Sequence, residues 1–178
     1  MSFGPRLRKS TLTVHVVASV GWLGAVIAFL GLSIIGFVSH DAAVVNAVRV
    51  ALYAGGWSVL VPLSVASLLS GILQSLGTPW GLLRHYWVVV KLWVNVLASV
   101  VLVLYMQTLA SLAQIARVPG ASPGYQAASA LSPVIHSAGA LLLLVVATIL
   151  SVFKPRGRTR YGQAKASRGR PRAGVDVL

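Results

Sequence analysis

Few residues in this 178-residue chain carry reactive or ionisable side chains, so the ones that do stand out. Arg84, His85, Lys91 and Asn95 fall within one short stretch that also holds Trp87 and Trp93. Four histidines, His15, His40, His85 and His136, supply every imidazole. An imidazole can relay a proton, bind a metal or hydrogen-bond across a helix pair. A lysine inside an apolar run can hold an anion. Arg84, Lys91 and Asn95 are spaced seven and four apart, which puts them on one face of a continuous helix.

Other chemistries are ruled out by what is missing. There is no cysteine, which removes disulfides, thiolate metal sites, iron–sulfur clusters, c-type haem attachment and S-acylation. Asp41 and Asp176 are the only acids, so no paired-carboxylate site can be built. No His-x-x-x-His spacing supports a dedicated metal site. No Gly-rich loop suited to phosphate is present, and the two methionines, Met1 and Met106, form no copper-type cluster. The residues favour a protein that is not an enzyme.

The elements that must position these side chains are membrane helices. The chain is 57% hydrophobic and 10% charged, against about 25% charged in a soluble domain. Four stretches reach the roughly 20 apolar residues that a span needs: about 11–38, 50–76, 79–109 and 132–153. The fold class expected is all-α, a four-transmembrane-helix bundle. On span 1, His15, Ser19, Trp22 and Ala25 share a face. Pro62 should kink span 2, where Ser67, Gly71 and Ser75 form a small-residue packing stripe. Ser70 and Gln74 need partners inside the bundle. Thr78-Pro79 reads as the restart of a third helix about 45 Å long, and Ser132-Pro133 as the start of the fourth. Residues 39–49 and 110–131 are expected to be loops.

Charge placement sets the expected orientation. Arg6, Arg8, Lys9 and Arg84, with eight basic residues in the tail 154–178, make twelve on one side, against Arg49 and Arg117 on the other. The positive-inside rule then puts both termini of this multi-pass membrane protein in the cytoplasm. Residues 1–10 form a basic cytoplasmic N-terminus. The polybasic tail is expected to be disordered and to meet anionic lipids at about 1 kcal/mol per basic residue. Nucleic acid is a poorer partner, since Tyr161 is the tail's only aromatic residue.

Lys91 lies about 6 Å below Trp87 along the helix, with no acid of this chain at its depth. The ordinary outcome is snorkelling to lipid phosphate. The others are a hydrogen-bonded neutral amine or an external anion. His15 lies at a similar depth, as a helix–helix hydrogen bond or as a ligand. A two-histidine haem would pair His15 with His85, or His40 with His136.

The residues from Thr13 to Ala25 (Thr-Val-His-Val-Val-Ala-Ser-Val-Gly-Trp-Leu-Gly-Ala), Gly56-Trp57 to Pro62, and Gly77-Thr78-Pro79-Trp80 through Arg84-His85-Tyr86-Trp87 to Lys91 resemble a family of actinobacterial integral membrane proteins of unknown function. That resemblance covers about residues 14–153 and implies four helices. His15, Trp22 and Gly24 also resemble, more weakly, the first helix of copper-resistance D-like and haem-associated four-helix membrane proteins.

The leading expectation is a structural, accessory or small-ligand-binding membrane bundle, acting alone, as a homo-oligomer or with a membrane partner. The candidate ligand-binding residues are His15, Trp22, Arg84, His85, Lys91 and Asn95. The alternatives are a haem b or quinone redox protein, with His15 as axial ligand and Arg84 with Lys91 on the propionates, and a small transporter or channel with Lys91 and Asn95 on its pathway.

Overall fold

A computed structural model of the chain describes residues 3–77, 81–117 and 123–153, together with 155, 157, 159, 160, 162 and 163. These residues are helical, with no strand among them: α1 (Pro5–Val38), α2 (Ala42–Gly55), a π-helical turn (Gly56–Leu60), α3 (Val61–Leu76), α4 (Tyr86–Ile115) and α5 (Pro123–Phe153). Because α2, the π turn and α3 run on as one rod, four helical stretches are long and apolar enough to cross a membrane: Pro5–Val38, Ala42–Leu76, Tyr86–Ile115 and Ala130–Phe153. The protein is therefore a bundle of membrane-compatible helices. α1 packs against α2, α3 and α5, and α4 closes the bundle against α2, α3 and α5.

Several boundaries differ from those expected. α1 begins at Pro5, so most of the basic N-terminus is helical; proline suits a first helical position, where its missing N–H is not needed. The first loop shrinks from 39–49 to 39–41. Asp41 caps the second rod, its Oδ1 accepting from the Ala43 N–H at 2.8 Å. Arg49 is consequently a buried helical residue. Thr78, Pro79 and Trp80, where the third helix was expected to restart, lie outside the described residues. Gly81 has φ +61°, a left-handed conformation that a glycine adopts freely, and His85 is extended (φ −129°, ψ 134°). Helix therefore starts only at Tyr86. At its other end α4 continues to Ile115 and α5 begins at Pro123, so the loop expected at 110–131 is largely helical. Pro133 sits inside α5 rather than opening it. The Ser132 hydroxyl does not cap there; it meets the Tyr105 hydroxyl at 3.0 Å.

The expected disturbance at Pro62 takes the form of the π turn. Proline has no N–H and its ring crowds the carbonyl four residues back; widening the preceding turn relieves both. The Val61 N–H accordingly bonds Gly56 O. Gly56 leaves room there for Met106, whose Sδ an added Cβ would approach to 2.7 Å. Trp22, Leu52 and Met106 are the largest fully buried side chains, in a core shared by all the rods.

A few described residues of the tail meet the segment before α4. Thr159 N–H donates to Arg84 O at 3.0 Å and its hydroxyl to Leu83 O at 2.6 Å. Tyr86 N–H donates to Gly157 O at 3.4 Å. Residues 164–178 lie outside the described residues.

Candidate functional site

The buried residues of α1 are His15, Ala18, Trp22, Val26, Phe29 and Ser33. Steps of three and four place them on one face. Those of α3 are Ser64, Ser67 and Ser70, a stripe of hydroxyls in an otherwise apolar helix. Small side chains let the two helices approach closely, and polar side chains bridge them: Ser19 and Ser67 hydroxyls are 2.8 Å apart. His15 Nδ1 lies 3.2 Å from Ser67 O and 3.1 Å from Ser70 Oγ. Gly71 gives the ring its room, for a Cβ there would stand 3.0 Å from Cε1.

These contacts assign the proton. The Ser67 carbonyl can only accept, so His15 Nδ1 carries the hydrogen and donates. In the neutral ring Nε2 is then an acceptor. Lys91 Nζ reaches that nitrogen from α4 at 3.3 Å and donates to it. Lys91 thus turns inward to His15. An ammonium has three donors; among the described residues His15 is the sole hydrogen-bond partner of Lys91.

The pair faces an open-sided cavity of about 490 Å³ lined by the N-terminal half of α1, α3, the residues before α4, the start of α4 and Ser151 of α5. Arg8, Gln74, Ser75 and Asn95 bring further polar groups to its wall, and no acid lines it. Asn95 is 7% exposed and stands one turn below Lys91 on the same face. The one carboxylate among the described residues, Asp41, lies beyond the far end of α1, roughly 35 Å from the level of His15 at 1.5 Å per residue. The site is cationic with a single neutral base to answer it.

Compared with family models, curated proteins and solved structures, the chain finds no match.

Of the residues singled out from sequence, the structure brings His15, Lys91 and Asn95 into one cavity wall. Arg84 and His85 are not among its lining residues. The helical spacing that aligned Arg84 with Lys91 fails because Arg84 precedes α4; its side chain packs instead on Gly81. Trp22 is 2% exposed and belongs to the core and to a second, more apolar cavity. Sequence reasoning missed Arg8, although it stands seven residues before His15 and hence on the same helical face. Ser67 was read only as packing and Ser70 only as needing a partner, yet both hold the imidazole.

The arrangement does not fit a haem held by His15. Nδ1 is committed to Ser67 and Ser70, and Nε2, the remaining nitrogen, is covered by Lys91. No second histidine lines the cavity. His40 is exposed beside Asp41, and His136 is stacked on Tyr105 with ring centroids 3.8 Å apart. Among the described residues no group of three or more His, Cys, Asp or Glu side chains could hold a metal.

Proposed function

We propose that this is a multi-pass protein of a bacterial cytoplasmic membrane, with both termini cytoplasmic, that binds an acidic amphiphile in the cavity at the N-terminal end of the bundle. The observation that carries this reading is the Lys91 ammonium, directed into a cavity with no carboxylate and answered by one imidazole lone pair. An intramembrane charge costs roughly 2.5–3.5 kcal/mol or more. An acidic headgroup accepting the two remaining Lys91 N–H bonds would offset that cost. Asn95, whose side-chain amide has no hydrogen-bond partner among the described residues, can donate alongside, and Arg8 supplies long-range attraction at the rim. Leu12, Val16, Leu68, Ile72 and Leu92 give the same cavity an apolar wall for the ligand's hydrocarbon. Supporting the orientation, twelve basic residues attach to the end that carries this cavity.

The test is calorimetric titration of the purified protein in a neutral sugar detergent with decyl phosphate, inorganic phosphate and decan-1-ol. Decyl phosphate binds saturably and decanol does not compete with it. Removing the ammonium in Lys91→Met eliminates a charge-assisted hydrogen bond of about 1.5–3 kcal/mol, weakening decyl phosphate roughly 10- to 150-fold. Equal affinity for inorganic phosphate would reassign the site to a free anion. Unchanged binding in Lys91→Met would overturn the proposal.

A further inference from the structure

The other half of the bundle holds a second cavity of about 400 Å³, lined by Trp22, Phe29, Leu60, Leu109, Tyr105 and His136 among others. We propose that it binds a neutral, hydroxyl-bearing amphiphile taken up from the bilayer. Its chemistry differs from that of the first cavity, which Arg8 and Lys91 line, in the absence of charge. No charged residue lines it, so an ionised headgroup would be stripped of water without compensation. Ser33, Tyr105, His136 and Ser137 are among its polar lining residues, and the neighbouring Ser132 ties Tyr105 to His136. Tyr105 Oη lies 3.0 Å from Ser132 Oγ. The His136 ring stacks on Tyr105 at 15° between planes. His136 Nδ1 lies 2.9 Å from Ser132 O.

That last contact decides the polarity of the ligand. A carbonyl only accepts, so Nδ1 carries the hydrogen and Nε2 of the neutral ring presents a lone pair. Among the described residues nothing donates to it. His136 lies on the membrane-compatible stretch Ala130–Phe153 of α5, with its side chain exposed beside the cavity. An acceptor left without a donor in hydrocarbon is costly, and a ligand O–H supplies the donor. The opening faces outward from the bundle: Ile135 and Leu142, on its edge, are 58% and 65% exposed. Apolar side chains exposed on a membrane-compatible helix are the surface that lipid covers, so the ligand enters sideways, head against His136 and hydrocarbon toward Trp22.

Trp22 in the lining provides the readout. In a protein with Trp57, Trp80, Trp87 and Trp93 changed to Phe, 11-bromoundecan-1-ol should quench Trp22 fluorescence saturably. The His136→Leu change in that background should weaken the alcohol about five- to tenfold, as expected for loss of one hydrogen bond. Quenching that never saturates, that 1-bromoundecane reproduces at equal concentration, or that His136→Leu leaves unchanged would overturn the proposal. Stronger quenching by 11-bromoundecanoate would overturn the neutral class of the ligand. Should the fourfold tryptophan variant fail to fold, the protein with all its tryptophans serves. Undecan-1-ol should raise its melting temperature and should not raise that of His136→Leu; no rise in the former, or the same rise in both, would count against the site.

Discussion

Gly71→Ala tests the way α3 holds the His15 ring. The added methyl would stand 3.0 Å from Cε1 and 3.5 Å from Nδ1. Ordinary carbon contact begins near 3.5 Å, so the ring must retreat from α3 by roughly 0.4 Å or more. Both Nδ1 bonds end on α3, at 3.2 Å to Ser67 O and 3.1 Å to Ser70 Oγ. The same retreat carries them to the outer limit of hydrogen bonding. Two weakened bonds at about 1 kcal/mol each oppose a helix-propensity gain of about 1 kcal/mol for replacing glycine by alanine. Gly71→Ala should therefore destabilise by about 1 kcal/mol in the native background. With His15→Ala already present there is no ring to displace, and the same change should stabilise by about 1 kcal/mol. The coupling energy of the double-mutant cycle is then about 2 kcal/mol. Equilibrium unfolding by SDS titration from neutral micelles, followed by tryptophan fluorescence, measures all four proteins. A Gly71→Ala effect of the same sign and size in both backgrounds would refute the packing argument.

Other positions give sharper single effects. Gly56→Ala drives a Cβ to 2.7 Å from Met106 Sδ in a fully buried setting and should cost about 1–3 kcal/mol; Gly24→Ala, with nothing within 4 Å, should cost nothing in the same titration. Asp41→Ala removes the cap on the Ala43 N–H and should lower stability by about 1 kcal/mol. Thr159→Val deletes the hydroxyl that donates to Leu83 O and accepts from the Gly162 N–H at 3.1 Å. Hydrogen exchange at Thr159 and Gly162 should speed up about five- to thirtyfold, matching about 1–2 kcal/mol, while the amides of α1 keep their protection.

The four membrane-compatible rods were legible from hydropathy and length because the chain has almost no charge to interrupt them. His15 and Ser19 could be placed on the inward face of α1 from helical spacing alone, and Lys91 with Asn95 on one face of α4 in the same way. The meeting of His15 with Lys91 was not legible. Comparable depth on two helices says nothing of the rotation that points each side chain at the other; that rotation follows from the close approach of α1 and α3 at Ser67 and Gly71. Arg84 was misplaced because helical spacing was carried back across Gly81 and His85, whose backbone angles no pattern of apolar residues reveals. Pro133 was misread as a helix start because proline is common there, yet here the preceding serine is drawn to Tyr105 instead of capping. The docking of Thr159 on Arg84 is a backbone bond between residues 75 apart in sequence, and composition carries no signal for it.

The central claim is that the Lys91 ammonium meets an acidic headgroup inside the bundle. Solid-state NMR can measure the distance directly, from ¹⁵N-labelled lysine to the phosphorus of bound decyl phosphate. The resonance missing from Lys91→Met identifies the residue. A charge-assisted N–H···O bond places Nζ roughly 3.5–4 Å from phosphorus, and the Lys91 signal should dephase accordingly. Dephasing confined to the other lysines, or none at all under saturating ligand, would contradict the account.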